Sequence, residues 1–120
     1  MRLTDAQQER YARHLLLLGI EGAGQERLLA SSVRVRGTGR AARACALYLA
    51  VSGVGTLAVD GGDPDGELRA VSPDLRLGGD RDEVDLDIAP ADPAGSGPAE
   101  AAAAGSWAAL EAVRALAGRR

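Results

Sequence analysis

Residues 33–60 read VRVRGTGRAARACALYLAVSGVGTLAVD, and this stretch decides the fold that the sequence predicts. Residues 33–36 alternate valine with arginine, which favours a short β-strand. Residues 40–52 carry small and apolar side chains at helical spacing, and Gly53 is placed to end that helix. A second strand is expected at residues 56–59. The stretch therefore predicts a βαβ unit and an α/β protein.

The turn between the first strand and the helix reads GTGRAA. Gly37 suits a tight turn, and the missing Cβ of Gly39 leaves room for a phosphate beside the backbone. Ala42 stands at the third position of the dinucleotide fingerprint, where glycine or alanine permits close packing of helix on strand. Asp60 follows the turn by about 20 residues, where Rossmann-like units place a ribose-binding carboxylate. These four residues are a candidate nucleotide site, although a βαβ unit that binds nothing fits the pattern equally well.

Composition narrows the class of protein. The 120 residues contain no Phe, one Trp and two Tyr, so a single domain with a thin core of Ala, Val and Leu is expected. A net charge of -3 offers no basic footprint, so no nucleic-acid partner is expected. Cys45 is the only cysteine and lies on the apolar stripe of the predicted helix, which indicates a small buried hydrophobe.

The first residues predict helices and no membrane segment. Residues 4–7 form a capping-box pattern, so a helix is expected over 5–18, and a second short helix is expected over 24–30. The start of the chain lacks the apolar core of a signal peptide, and the leucines of 15–18 are too few to span a bilayer. A cytoplasmic protein without a membrane partner is the resulting expectation.

The remaining elements complete a small, mostly parallel sheet. Residues 67–71 predict a shortened helix, residues 72–77 lead into a third strand, and residues 84–88 predict a fourth. The first, third and fourth predicted strands alternate apolar with charged residues, whereas parallel sheets covered on both faces normally carry continuous apolar runs. We therefore expect one face of the sheet to have lost its helical cover, and to meet solvent or a partner.

The composition after the fourth strand shifts to Ala, Pro, Gly and Ser over residues 89–105. This segment predicts a flexible connection, or a weak alanine helix after Pro98. Residues 106–118 predict a C-terminal helix with Trp107 on its apolar stripe. The whole chain, 1–120, is thus expected to form one domain: N-terminal helices (1–32), a βαβ core (33–88), a flexible connection (89–105) and a C-terminal helix (106–118).

Three motifs in order resemble the ThiF/MoeB/HesA family, the bacterial relatives of ubiquitin-activating enzymes. They are RYARH at 10–14, GQERLL at 24–29, and the glycine turn followed by LYLAVSGVGTL at 47–57. The resemblance implies a dimeric, ATP-dependent adenylyltransferase that activates the C-terminal carboxylate of a small ubiquitin-like protein, often a sulfur carrier.

The resemblance also assigns roles to single residues. It implies that Gly37 and Gly39 contact the nucleotide and that Asp60 binds the ribose. Arg13 matches the arginine of the RYxR motif, which in the family reaches into the ATP site of the partner subunit. Such an arginine is a bidentate cation for phosphate oxygens. From the residues alone, a solvated position on a helix face fits Arg13 better.

The chain departs from the family after Asp60. Active members continue with Asn, an Arg-Gln pair and a lysine directed at the phosphates, whereas this chain continues GGDPDGELR and contains no lysine. The cysteine pairs that bind zinc are missing, so no zinc is expected. Asp85 and Asp87 fall near the place of the family's magnesium-binding acid, but an exposed strand face explains both, and no metal site is predicted.

Three functions remain open at this point. The first is a shortened, non-catalytic relative that binds nucleotide or acts as a scaffold, as a homodimer or beside a full-length ThiF-like protein, with a ubiquitin-like carrier as possible partner. The second is a minimal ATP-dependent adenylyltransferase whose site is completed in trans by Arg13. A plain NAD-type binder, which Asp60 would permit, ranks last because no substrate domain or general base follows.

Overall fold

A four-stranded, all-parallel β-sheet organises the residues that this computed structural model describes, which are 22–78 and 84–118. The strands are β1 (Ser32–Val35), β2 (Thr56–Val59), β3 (Arg76–Leu77) and β4 (Leu86–Ile88). The helices are α1 (Gly22–Leu29), α2 (Arg40–Ser52), α3 (Glu67–Val71) and α4 (Pro98–Ala117). The predicted Rossmann-like α/β fold is confirmed, and so is the short second helix. The predicted helix over 5–18 lies outside the described residues.

The strand order β3-β2-β1-β4 places a crevice beside the end of β1. Val35 pairs with Val59 of β2 on one side and with Ile88 of β4 on the other, so the three strands end at one level. The chain leaves β1 towards β2 and reaches β4 on the opposite side only later. Ligands of open α/β sheets bind where the strand order reverses in this way. The glycine turn that follows β1 lies at this edge.

One face of the sheet forms the core together with the helices. Val33, Val35 and Leu57 are fully buried on this face. They share one apolar cluster with α2 and α4 and with Leu28 and Leu68 from the two shorter helices. Valine, leucine and alanine supply nearly all of this cluster, as the lack of Phe predicted, and Cys45 is fully buried among them.

Helices α2 and α4 pack at very short range because small residues line the contact. A Cβ built at Gly105 of α4 would lie 2.0 Å from the carbonyl oxygen of Ala41 in α2. The α4 residues buried at the contact and beside it are mostly alanine and glycine, with Val113 and Leu116 near the end of the helix. A tryptophan has no room in such a contact. The expectation that Trp107 lies on the buried stripe is wrong, since its exposed fraction is 61%.

Helix α4 begins eight residues earlier than the predicted C-terminal helix. It starts at Pro98, with Gly97 as its N-cap, so residues 98–105 are helical and do not belong to a flexible connection. Proline suits the first position of a helix because its missing N–H would have no helical acceptor there. The alanines that follow have the highest helix propensity, and they carry the helix through Gly105. The alternative of an alanine helix after Pro98 is therefore the correct one.

The opposite face of the sheet is polar. Arg34, Thr56 and Arg76 lie on it. Thr56 pairs with Arg76 of β3, and Arg34 pairs with Asp87 of β4 and with Ala58 of β2. Arg34 Nε is shielded from solvent without a hydrogen-bond partner among the described residues. The absence of helical cover from this face stays a prediction, because residues 1–21 lie outside the description.

Candidate functional site

The glycine turn after β1 adopts the conformation that its sequence requires. Gly37 has a φ of +99°, in the region that side chains other than glycine rarely adopt. A Cβ at Gly37 would lie 3.7 Å from the Cβ of Ala42, which is buried against the turn. Gly39 is the N-cap of α2, with φ -74° and ψ 178°. The absence of a side chain at Gly39 leaves room beside the start of α2, and the Asp92 carboxylate lies there, 3.0 Å from the position of a Cβ at Gly39.

Asp60 connects the end of β2 to this turn. Its Oδ2 atom accepts a hydrogen bond from the backbone N–H of Gly37 at 2.9 Å. The Asp60 residue is exposed, so solvent or a ligand can reach the carboxylate. The fold therefore brings the four predicted nucleotide-site residues, Gly37, Gly39, Ala42 and Asp60, into one small region. Arg13, the predicted catalytic residue, lies outside the described residues.

Two clefts flank the glycine turn. The cleft on the β2 side has a volume of about 220 Å³ and is lined by Gly37, Thr38, Gly39, Arg43, Gly61 and Asp65, among others. The cleft on the β4 side has a volume of about 350 Å³, and Arg36, Pro90 and Asp92 contribute to its walls. Pockets for drug-sized ligands measure roughly 300–1,000 Å³. Each cleft alone is thus of a size to hold part of a nucleotide.

Arg43 lies beside the first cleft and is bound to α3 and the loop before it. Its guanidinium donates to Gly62 O at 3.3 Å, Asp63 Oδ1 at 3.4 Å and Glu67 Oε2 at 3.0 Å. Burial acts to lower the pKa of Arg43, but the hydrogen bonds to Glu67 and Asp63 outweigh it and raise that pKa. The charge of Arg43 is therefore compensated within the fold.

Asp63 is the central acceptor of this group. Its two carboxylate oxygens accept hydrogen bonds from the backbone N–H groups of Leu68 at 2.9 Å and Arg69 at 3.2 Å. These N–H groups lie in the first turn of α3, where a helix offers them no backbone acceptor. The side chain is only 3% exposed. Desolvation acts to raise the pKa of Asp63, but the hydrogen bonds from Leu68, Arg69 and Arg43 outweigh it and lower that pKa. Asp63 thus fixes the short helix α3 beside the cleft.

Arg36 at the end of β1 is paired with Asp87 on β4. Arg36 Nε donates to Asp87 Oδ1 at 2.7 Å, and Nη2 donates to the second oxygen. The hydrogen bond from Arg36 lowers the pKa of Asp87. Asp85 Oδ2 accepts the backbone N–H of Ser32 at 2.8 Å. Asp85 and Asp87 therefore both contact the neighbouring strand β1, in keeping with the prediction that they lie on an exposed strand face.

Asp92 is a site residue that the sequence reasoning missed. Its Oδ1 atom accepts the backbone N–H of Ala41, in the first turn of α2, at 2.8 Å. A Cβ at Gly39 would lie 3.0 Å from the same oxygen. An acid a few residues beyond a strand that borders the crevice is the signal that could have pointed to Asp92, since loops at that edge converge on the glycine turn.

The described residues offer little for metal or thiol chemistry. Within residues 22–78 and 84–118, no three His, Cys, Asp or Glu side chains are grouped so that they could hold a metal ion. Burial raises the pKa of the Cys45 thiol to about 12, in agreement with the prediction of a buried hydrophobe. No helix in the same residues has both the length and the apolar character needed to cross a membrane.

Comparison with known proteins confirms the resemblance found in the sequence. The chain is 42% identical over 69 residues to the vegetative HesA protein of Trichormus variabilis, covering 58% of this chain and 25% of that protein. It is 44% identical over 57 residues to a probable molybdopterin-synthase adenylyltransferase of Gracilaria tenuistipitata var. liui, covering 48% and 16% of the two chains. Identity to the adenylyltransferase and sulfurtransferase MOCS3-1 of Zea mays is 48% over 54 residues, covering 45% and 12%.

The chain spans a quarter or less of the length of these curated relatives. No family model matches the chain. Among solved structures, the crystal structure of PaaA superimposes with a TM-score of 0.59 at 20% identity, covering 96% of this chain and 45% of PaaA. This last likeness shows the fold alone.

Proposed function

We propose that this protein binds an adenine nucleotide at the glycine turn and acts as a non-catalytic binding or scaffold subunit related to the adenylyltransferases. The observation that carries the proposal is the Gly37–Asp60 hydrogen bond of 2.9 Å, which joins the turn and the acid at the crevice where the strand order reverses. Both groups that the nucleotide fingerprint requires are then within reach of one ligand.

The two ends of the nucleotide would have different partners. The exposed carboxylate of Asp60 can accept hydrogen bonds from ribose hydroxyls while Gly37 holds it in place. Apart from the Ala41 N–H, which donates to Asp92, the N–H groups in the first turn of α2 and the backbone of Gly39 can receive a phosphate. ATP is the nucleotide proposed because two of the relatives above are named adenylyltransferases.

The charges around the turn favour binding over catalysis. Adenylyl transfer needs cations that stabilise the negative charge on the phosphates in the transition state. Arg43 is bound to Asp63 and Glu67, and Arg36 is bound to Asp87. The chain contains no lysine that could replace them. Arg40, which is exposed in the first turn of α2, is then the cation nearest to the turn in sequence whose charge no described carboxylate compensates.

The proposed partners follow from the relatives. A second copy of this chain or a longer adenylyltransferase could complete the site, and a small ubiquitin-like sulfur carrier is the class of protein that such enzymes activate. The names of the relatives also favour a second candidate function, a minimal adenylyltransferase completed in trans. Arg13 would then act on the phosphates of the partner subunit.

Titration calorimetry with ATP, AMP, adenosine and NAD tests nucleotide binding. We expect the adenine nucleotides to bind and Gly39→Val to abolish binding, because the valine side chain fills the approach to the backbone. Gly97→Val is the matched control, since Gly97 is the N-cap of α4 with the same extended backbone, φ -82° and ψ 178°. Absence of heat with all four ligands would overturn the proposal.

Pyrophosphate measurements separate the two candidate functions. A non-catalytic subunit releases no pyrophosphate from ATP in the presence of a ubiquitin-like sulfur-carrier protein. Release that disappears in Arg13→Ala, with unchanged thermal stability, would instead establish the minimal adenylyltransferase. Arg114→Ala serves as control, because Arg114 is an exposed arginine on α4.

A further inference from the structure

We propose that the outer face of helices α2 and α4 binds a second copy of this chain, with Trp107 of each copy entering the groove between α2 and α4 of the other. This α2–α4 face consists of Ala44, Leu47, Tyr48 and Val51 of α2 and of Ser106, Trp107 and Leu110 of α4. It shares no described residue with the linings of the two clefts beside the glycine turn. The inference therefore goes beyond the proposed function and does not depend on nucleotide binding.

Helix α2 carries a second apolar stripe beside the one that packs into the core. Ala44, Leu47, Tyr48 and Val51 recur at spacings of three and four residues, so they share one side of the helix. All four are half-buried, whereas the core stripe is fully buried. Together with Ser106 of α4 they line a groove of about 270 Å³. The second stripe therefore keeps apolar surface that another molecule can cover.

Trp107 is the projecting side chain of the α2–α4 face. It follows Ser106, which lines the groove, and its exposed fraction is 61%. Leu110, one turn further along α4, is half-buried. A tryptophan offers a large, rigid apolar ring, and such rings are enriched at the centres of protein interfaces. The face thus carries both a projecting apolar ring and an apolar groove.

The charge of this face favours a second copy as its occupant. Residues 44–52 of α2 and 101–110 of α4 contain no Asp, Glu, Lys, Arg or His. In a two-fold dimer, each residue near the axis lies close to its own counterpart, so a charged residue there would meet its own sign. An uncharged face avoids this repulsion, and it offers no counter-charge to an acidic or basic partner. The α2–α4 face is therefore complementary to itself.

The size of the face suits a dimer that dissociates on dilution. The 13 residues of α2 measure about 20 Å, and each helix is about 10 Å wide. Side by side, α2 and the adjacent part of α4 present roughly 400 Å² of flat area on each copy. Two such faces bury roughly 800 Å² of flat area, and more once the relief of the side chains is counted, which is typical of the smaller specific interfaces. We expect a dissociation constant of roughly 1–100 µM.

Sedimentation velocity without nucleotide, from about 1 µM to about 1 mM protein, measures the dimer. Trp107 is the only tryptophan in the chain, so its fluorescence reports on this face alone. We expect the emission to move to shorter wavelength, and quenching by acrylamide to weaken, as the dimer forms. Trp107→Glu should weaken the dimer at least about thirtyfold, the effect of removing a central interface residue. Because the side chain is exposed, this variant should keep its stability in urea.

Val71→Glu is the matched control. Val71 is an exposed apolar side chain on α3, outside the α2–α4 face, and its replacement introduces the same charge. A dimer that is weakened by Trp107→Glu and unchanged by Val71→Glu, with the concentration-dependent shift in emission, supports the inference. A chain that stays monomeric at the highest concentration overturns it, whether Trp107 is open to acrylamide or is protected by another part of the same chain. A dimer of equal strength in the two variants also overturns it, since that dimer uses another surface. None of these results bears on nucleotide binding, which calorimetry measures separately.

Discussion

The backbone N–H of Gly37 and the Oδ2 atom of Asp60 are joined by a hydrogen bond of 2.9 Å. The bond links the end of β2 to the turn that follows β1, across neighbouring strands. An acid at the end of β2 thus has a structural use before any ligand binds. The same carboxylate that would bind a ribose also sets the shape of the turn that would bind a phosphate.

Replacement of Asp60 should weaken nucleotide binding more than it weakens the fold. We expect Asp60→Ala to lower adenosine affinity by at least about tenfold, since a hydrogen bond to a charged group contributes roughly 1.5–3 kcal/mol. The free energy of unfolding should fall by less than about 1 kcal/mol, because the residue is exposed. Calorimetry and urea denaturation measure the two effects. Asp65 lies in the wall of the same cleft, and Asp65→Ala should change neither the adenosine affinity nor the free energy of unfolding. Equal adenosine affinities for Asp60→Ala and Asp65→Ala would show that Asp60 does not bind the ribose.

Gly105 should be intolerant of the smallest side chain. By helix propensity alone, Gly105→Ala would stabilise α4 by about 1 kcal/mol. The new Cβ would lie 2.0 Å from Ala41 O, so we expect instead a loss of at least about 2 kcal/mol as the helices separate. Urea denaturation decides the sign of the change. Ser106→Ala, one residue along the same helix, is the control and should be neutral or slightly stabilising. A stabilised Gly105→Ala variant would contradict the close contact of α2 and α4.

Local patterns were sufficient to predict the first half of the described fold. Helix Arg40–Ser52, strand Thr56–Val59 and the short helix Glu67–Val71 occupy the predicted residues, because glycines and apolar periodicity mark their ends. Gly53 ends α2 with a φ of +100°, a conformation for which glycine is the natural residue. In such segments the information that determines structure lies within a few residues of sequence.

Contacts between distant residues were not accessible in this way. The burial of Gly105 and the exposure of Trp107 depend on how closely α4 approaches α2, which the periodicity of α4 alone does not contain. Asp92 and Ala41 are 51 residues apart, and only the parallel order of β1 and β4 brings them together. The sequence pattern of α2 alone indicates a surface position for Arg43. Its hydrogen bond to Asp63, in the loop before α3, depends on how the chain folds.

Arg27 should contribute to the docking of α4. Its Nε atom donates to the carbonyl oxygen of Ala117 at 2.7 Å, which joins α1 to the last turn of α4. A cation at this position satisfies a free carbonyl and opposes the negative end of the helix dipole. We expect Arg27→Gln to lower the free energy of unfolding by about 1 kcal/mol, measured by urea denaturation. Arg114→Gln is the control, because Arg114 also lies in the last turn of α4 but is exposed. Equal losses for the two variants would show that charge alone acts, without the hydrogen bond.

Asp63 should make the stability of the fold depend on pH in the acid range. Its folded pKa lies below the ordinary value of 3.8, despite the opposing effect of desolvation, because Leu68, Arg69 and Arg43 donate to it. A lowered folded pKa means that this stabilisation is complete above about pH 5 and is lost as the pH falls through 3.8 to the folded pKa. Asp63→Asn should therefore be less stable than wild type at pH 7, and the difference should shrink on acidification.

Urea denaturation at pH 7, 5 and 3 tests this dependence on Asp63. Asp65→Asn is the control, since it removes an exposed carboxylate from the same loop. A difference between wild type and Asp63→Asn that stays constant from pH 7 to pH 3 would show that the carboxylate charge of Asp63 contributes nothing.

Cys45 should be unreactive in the folded protein. Burial raises the pKa of its thiol to about 12, so at pH 8 only about one molecule in ten thousand would carry the reactive thiolate. We expect iodoacetamide to label the native chain only at the rate of transient unfolding, and to label the chain completely in 6–8 M urea, concentrations of about that size being enough to unfold a small domain. Mass spectrometry after timed labelling measures both rates, and Cys45, as the only cysteine, makes the signal unambiguous. Gly105→Ala should accelerate native labelling, because it weakens the contact between α4 and the helix that carries Cys45, whereas Ser106→Ala should not. Rapid native labelling of the wild-type chain would show that α2 does not bury this thiol as the structure has it.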